Sequence, residues 1–135
     1  MSDFEAELRA FAEKRLNAEA YKDCTHRLDA FQCEQCGFVA LEATIENHPE
    51  NDRGDFRGIL WVTCPKCRVQ RVGVSITTPG EAPPASVEPL RCECGGLRFH
   101  LAQCERWENW GFFDEGTVVG RCEACGALRV VLDTD

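Results

Sequence analysis

The sequence predicts a small, mostly β protein in which one antiparallel ribbon occurs twice in tandem behind an N-terminal α-helix. Three observations lead to this fold class. Eight of the ten cysteines stand in close pairs. Hydrophobic segments of strand length precede and follow these pairs. The whole pattern of pairs and strands then occurs a second time at nearly the same spacing, which is typical of an internal repeat.

The N-terminal helix is predicted over residues 1–23. Phe4, Leu8, Phe11 and Ala12 recur at helical spacing and so share one face. This apolar stripe either covers the protein's own sheet or docks on another chain, and the sequence leaves both possibilities open. We expect the helix to be one of two surfaces that bind larger protein subunits.

The body of the chain divides by composition into residues 24–77, the first ribbon, and residues 91–135, the second ribbon. Residues 78–90 between them form a proline-rich linker, and four of the six prolines lie at positions 79–89. Proline lacks an N–H and favours an extended backbone, so this segment is predicted to be a semi-rigid spacer.

The paired cysteines are the candidate metal ligands. In a C-x-x-C turn both sulfurs point toward one centre, so two pairs close a four-thiolate site that leaves no position for water or substrate. Such a site is structural. The eight predicted ligands are Cys33, Cys36, Cys64 and Cys67 in the first ribbon and Cys92, Cys94, Cys122 and Cys125 in the second.

A glycine follows three of the four pairs, at Gly37, Gly95 and Gly126. Glycine takes a positive φ without steric cost and can turn its N–H toward a sulfur. A strand before the second pair of each ribbon and another after it give a hairpin. These features together predict two metal-stabilised zinc ribbons of the rubredoxin-like, antiparallel hairpin kind.

Two Zn²⁺ ions are therefore the expected cofactors, and a single iron in each site is the alternative, since four thiolates bind both metals. Each ribbon has too few residues for a self-sufficient core. A structural zinc ion contributes about 10–16 kcal/mol of apparent binding energy in small domains, which exceeds the net stability of most folds.

The second ribbon departs from the pattern because Cys92-x-Cys94 is one residue short. Either Gly96 restores the register, or the second site is distorted, or Cys104 replaces a ligand. Cys104 and Cys24, the two cysteines outside the pairs, are predicted to be small buried side chains, with reactive thiols as the alternative. The three histidines are His26, His48 and His100; His26 lies close to Cys24 and His100 lies four residues before Cys104, so these two pairs are weaker candidates for metal contact.

Charge and composition exclude several classes. The net charge of −8 without a basic run makes nucleic acid or an anionic membrane an unsuitable partner. The acidic N-terminus has no apolar core like that of a secretory signal, and no segment has the roughly 20 apolar residues of a membrane span. We therefore expect a cytoplasmic protein, where paired cysteines bind metal rather than form disulfides. The sequence contains no defensible catalytic constellation.

The aromatic run Trp107-Glu108-Asn109-Trp110-Gly111-Phe112-Phe113 lies between the two cysteine pairs of the second ribbon. It either covers the hairpin locally or forms the second surface that docks on a partner, because clustered Trp and Phe side chains often mark interfaces.

Three segments of the last third of the chain resemble the small gamma subunits of acetone and acetophenone carboxylases. They are Arg91-Cys92-Glu93-Cys94-Gly95, Trp107-Glu108-Asn109-Trp110 and Cys122-Glu123-Ala124-Cys125-Gly126-Ala127-Leu128. The resemblance implies a zinc-binding, non-catalytic subunit of an ATP-dependent carboxylase, whose larger subunits carry the nucleotide and ketone sites. By position, only Cys92, Cys94, Cys122 and Cys125 inherit a role, as metal ligands.

The predicted function is thus a structural zinc-binding accessory subunit of a multi-subunit enzyme, a ligase complex of the ketone carboxylase type, without a catalytic site of its own. Two alternatives from other classes stay open. One is a rubredoxin-like electron carrier with one iron per site, and the other is a zinc-ribbon adaptor for protein interactions.

Overall fold

The computed structural model describes residues 3–17, 21, 23–48, 57–76, 86–108, 111 and 113–134. Within these ranges it contains one helix and eight strands. In chain order they are α1 (Asp3–Arg15), β1 (Thr25–Ala30), β2 (Ala40–His48), β3 (Arg57–Thr63), β4 (Gln70–Ile76), β5 (Ser86–Pro89), β6 (Arg98–Trp107), β7 (Phe113–Cys122) and β8 (Leu128–Thr134). The predicted class, mostly antiparallel β with an N-terminal helix, is confirmed.

All eight strands belong to one sheet. Its central path runs β4-β3-β2-β6-β7-β8, with β5 paired to β2 and β1 paired to β6. The two hairpins predicted as tandem ribbons are joined where β2 meets β6, with Leu41 opposite Phe99. The strands of both predicted ribbons therefore form a single continuous sheet.

The strand pairing repeats about the β2–β6 contact. β2 pairs with β3 and β3 with β4, just as β6 pairs with β7 and β7 with β8. Two irregularities also match, since one register shift falls between Leu60 and Trp61 and another between Val118 and Val119. The β6–β7 pairing has a further shift, between Arg106 and Trp107. This agreement in pairing and in β-bulge position supports the internal duplication that the sequence predicted.

The short leading strands are exchanged between the repeats. β1 precedes the first cysteine pair but lies along β6 of the second repeat, with Leu28 opposite Cys104. β5 precedes the third pair but lies along β2 of the first repeat, with Val87 opposite Glu46. Each repeat therefore completes the sheet of the other.

The main core lies on one face of this sheet and draws on both repeats. Its fully buried side chains include Leu60 from the first repeat and Phe99, Leu101 and Val118 from the second. One cysteine of each pair is buried in the same cluster: Cys33, Cys64, Cys92 and Cys122. The cysteine turns are thus fixed to a core that the two repeats share.

Helix α1 covers the opposite face of β6 and β7. Leu8, Ala12 and Leu16 are buried there against Ala102 and Val119, with other side chains packed around them. Phe4 and Phe11 are partly buried at the same cluster. The predicted apolar stripe therefore packs on the chain's own sheet, which was one of the two possibilities that the sequence left open.

Polar contacts hold both ends of α1 to the sheet. The Arg121 guanidinium donates to Glu7 at 2.8 Å, and the Arg15 guanidinium pairs with Asp133. The buried Arg106 guanidinium donates to the carbonyl oxygen of Leu16 at 2.6 Å. A cation at the last carbonyls of a helix satisfies orphan acceptors and complements the helix dipole.

The helix is shorter than the predicted span of residues 1–23. It ends at Arg15, and Asn17 adopts a left-handed backbone with φ 55°, a conformation that terminates helices and that Asn tolerates. Residues 18–20 and 22 lie outside the described ranges. So do residues 77–85 of the proline-rich segment, whereas Ser86–Pro89 of the predicted linker forms β5. Among the described residues, no helix has the length and apolar character needed to cross a bilayer.

The packing of α1 on its own sheet predicts the effect of Leu8→Ala. Leu8 has no exposed surface, so the truncation should lower the free energy of unfolding of the isolated protein by about 2–5 kcal/mol. Arg9→Ala is the matched control, because the neighbouring Arg9 forms a surface ion pair with Glu13 and should change stability by less than about 0.5 kcal/mol. Denaturant unfolding at a fixed zinc concentration measures both, and equal midpoints for Leu8→Ala and wild type would contradict the packing.

Candidate metal centres

The first candidate centre comprises Cys33, Cys36, Cys64 and Cys67, on two turns that lie at the same end of the sheet. One turn connects β1 to β2 and the other connects β3 to β4. Each turn closes on its first cysteine by two backbone bonds. Cys33 N–H donates to the Phe38 carbonyl at 2.9 Å and Gly37 N–H donates to the Cys33 carbonyl at 2.8 Å, and the Cys64 turn repeats both.

The second candidate centre comprises Cys92, Cys94, Cys122 and Cys125 on the equivalent turns of the second repeat. The shortened Cys92 turn still closes, because Cys92 N–H donates to the Gly96 carbonyl at 2.9 Å. Gly95 N–H donates to the Cys92 carbonyl at 2.8 Å, one residue closer than in the first repeat. Gly96 therefore restores the register, and Cys104 does not enter the group.

The sulfur atoms of each centre are close enough to share one ion. In the first centre, Sγ of Cys33 lies 3.4 Å from that of Cys67, and Sγ of Cys36 lies 3.5 Å from that of Cys64. In the second, the matching distances are 3.5 Å and 3.6 Å. A tetrahedron with metal–sulfur bonds of about 2.3 Å has edges of about 3.8 Å, so the donor set fits a tetrathiolate metal site.

The eight predicted ligands all fall into these two groups of four, and within each group every pair of ligand atoms lies within 4.8 Å. In the part of the chain that the structure describes, no other cluster of three or more His, Cys, Asp or Glu side chains meets this criterion. No disulfide bond joins any of the ten cysteines, all of which lie in the described ranges.

The predicted positive φ of the glycines is confirmed, but their N–H groups donate to the carbonyl oxygen of the first cysteine of each turn rather than to a sulfur. Gly37, Gly95 and Gly126 have φ of 75°, 89° and 77°. The fourth turn has Arg68 at this position, with φ 65°, a conformation that costs an L-residue roughly 1–2 kcal/mol. Sequence reasoning missed Arg68, although aligning the two repeats places it opposite Gly126.

Backbone donors tune the thiols of the first centre. The N–H of Cys36 hydrogen-bonds Cys33 and, together with the Cys67 thiol and the N–H of Gln35, lowers the pKa of Cys33 to about 6, against the opposing effect of burial. A thiolate is the form that binds metal. The turn therefore prepares Cys33 to be a ligand near neutral pH.

The remaining candidates lie apart from both centres. Cys104 is fully buried under α1, and this burial, with the charge of Glu13, raises the pKa of its thiol to about 11. Cys24 is half-buried. His100 stacks on Phe4 with ring centroids 4.0 Å apart, and His48 contacts Glu46 at 2.7 Å. Neither these two histidines nor His26 belongs to a cysteine group.

The aromatic segment from Trp107 to Phe113 is only partly described. Trp107 is the last residue of β6 and pairs with Thr25 of β1. Asn109, Trp110 and Phe112 lie outside the described residues, as does the side chain of Phe113. The predicted docking role of this segment stays a prediction.

Comparisons with protein-family models, curated proteins and solved structures give no match. The resemblance to carboxylase gamma subunits therefore remains a resemblance of three short segments.

The unequal fourth turn predicts opposite effects of two substitutions. Arg68→Gly should raise the free energy of unfolding by about 0.5–1 kcal/mol, because relief of the left-handed strain exceeds the entropy that glycine adds to the unfolded chain. Gly126→Ala should lower it by about 1–2 kcal/mol. Denaturant unfolding at fixed free zinc measures both values.

Gln35→Gly is the control for added flexibility, because Gln35 lies in a cysteine turn without a positive φ. It should not stabilise the protein. A gain from Gln35→Gly as large as that from Arg68→Gly would show that backbone strain is not the cause.

Proposed function

We propose that this chain is a structural metal-binding protein that holds two zinc ions, one in each group of four cysteines. The observation that carries the proposal is that two cysteine turns in each repeat bring four sulfur atoms together, at spacings that suit a tetrahedrally coordinated ion. Four protein thiolates saturate zinc and leave no position for a water molecule or a substrate. This donor set favours a structural role over a catalytic one.

The position of the centres supports the same role. Each contains two cysteines that are buried in the common core and whose turns connect neighbouring strands. An ion bound there would link β1 and β2 to β3 and β4 in the first repeat, and the corresponding strands in the second. Because the turns of both centres are fixed to the one core that the repeats share, the binding energy of the metal would add directly to the stability of the whole sheet.

A one-iron electron carrier is the second candidate, and a specific observation favours it. Cys36, Cys94 and Cys125 are exposed, which would bring a redox-active ion close to a partner's cofactor. Zinc remains our first choice, because a closed group of four cysteines is the usual structural zinc site and nothing in its geometry requires a redox-active ion. The two metals differ in colour, since a ferric tetrathiolate is red and a zinc tetrathiolate is colourless.

Metal content tests this function directly. The purified protein should contain two zinc ions per chain and show no visible absorption. Cys36→Ser removes an exposed ligand of the first centre and should leave one ion per chain, in the second centre, while Cys24→Ser, outside both groups, should keep two. Elemental analysis with native mass spectrometry gives the counts, and fewer than two ions in the wild type or a red protein would overturn the zinc proposal.

The finer proposal is that the chain is an accessory subunit of a multi-subunit enzyme of the ketone carboxylase type. The support is the resemblance of residues 91–95, 107–110 and 122–128 to the gamma subunits, two of which contain the ligands of the second centre. A zinc-ribbon adaptor for other machinery is the competing interpretation, and the co-purifying chains distinguish the two.

Assembly should depend on the aromatic segment. The double variant Trp110→Ala/Phe113→Ala is expected to weaken association with larger subunits and to keep two zinc ions, because the segment contributes no metal ligand. Affinity purification followed by mass spectrometry measures the association, with Leu97→Ala as a control at an exposed apolar side chain outside the segment. Loss of zinc or of folding in the double variant would show instead that the segment belongs to the core.

A further inference from the structure

The two centres share a fold but not an environment, and the first is the more shielded. Phe38 directly follows its Cys33–Gly37 turn and packs against the core cluster. Lys66, inside the Cys64 turn, places its ammonium 4.7 Å from the centre of the Phe38 ring. This cation–aromatic pair lies between the two turns, and Cys67 beside it is only half-exposed.

The second centre has glycine where the first has phenylalanine. Gly96 occupies the position of Phe38, and a Cβ there would lie 2.9 Å from Sγ of Cys122 and 3.4 Å from Sγ of Cys94. No larger residue fits without displacing a ligand. Cys125, the counterpart of Cys67, is exposed, and a groove of about 580 Å³ runs along Cys92, Cys94 and Cys125.

The backbone and the charges around the centres also favour tighter metal binding in the first centre than in the second. The Cys92-x-Cys94 turn has one residue fewer than the Cys33 turn and therefore one backbone N–H fewer to donate to sulfur. Lys66, inside a cysteine turn of the first centre, is replaced by Ala124, and Pro65 is replaced by Glu123. A tetrathiolate zinc centre is anionic, so nearby cations and N–H donors stabilise it and carboxylates do not.

We propose that the second centre is an exchangeable metal site, which gives up and receives its ion through the groove beside Cys94 and Cys125, whereas the first centre keeps its ion. The inference rests on the proposed function, since it requires metal in both centres. The groove suits a soft ligand such as a thiol. Exchange would replace one protein sulfur by the incoming sulfur, with the proton of the entering thiol passing to the leaving cysteine, so no oxidant is needed.

The test uses the wild-type chain loaded with two zinc ions. It is incubated with a neutral hexadentate chelator and N-ethylmaleimide, both uncharged so that the local carboxylates do not repel them. Native mass spectrometry follows the ion count, and peptide mapping locates the alkylated cysteines. Cys94 and Cys125 should be modified at least about tenfold faster than Cys36 and Cys67. Their modification should occur in step with loss of the ion from the second centre.

Two variants separate shielding from general loss of stability. Lys66→Ala, at an exposed side chain, should speed release from the first centre and leave the second unchanged, and Glu123→Lys should slow release from the second centre only. Release of both ions in one phase, or of the first centre's ion first, would overturn the inference while two bound ions still supported the proposed function. A chain that never holds two ions would overturn the proposed function itself.

Discussion

The contact between β2 and β6 determines most of the architecture. Three residue pairs, centred on Leu41 opposite Phe99, join the repeats along this line. Together with the pairings of β1 with β6 and of β5 with β2, they merge two hairpins into one sheet with one core. Because Leu41 and Phe99 are themselves buried in that core, the backbone pairing and the apolar packing reinforce each other. The cysteine turns at the ends of the hairpins take their positions from this shared body.

The sequence was sufficient for the features that have a local cause. Cysteine spacing and the glycines after three pairs predicted four turns and two groups of ligands, because the sulfur positions follow from the turn geometry of a few adjacent residues. Helical periodicity likewise predicted the apolar stripe on α1. The end of α1 could not be predicted in this way. The helix ends where Asn17 adopts a left-handed conformation, and the sequence offers several other polar residues nearby at which a helix could end.

The remaining features depend on distant partners. β1 and β5 are short, and each pairs with a strand of the other repeat, so nothing in their own residues indicates a strand. The proline-rich composition near β5 favoured a spacer, although Pro89 occupies a strand end where its missing N–H costs little. The burial of the Arg106 guanidinium was also unpredictable, because its partner Leu16 lies 90 residues away in the chain.

The exchange of β1 and β5 makes a single repeat incomplete by itself. An isolated repeat would expose the edge of β2 that β5 and β6 cover, and its own leading strand would have no partner. Two identical copies would satisfy each other around a twofold axis, since the same strand-to-strand contacts would form twice. The present chain has the form of such a homodimer joined into one polypeptide, and because its two halves need not be identical, a helix covers only one half and Gly96 lies beside the metal ligands of that same half.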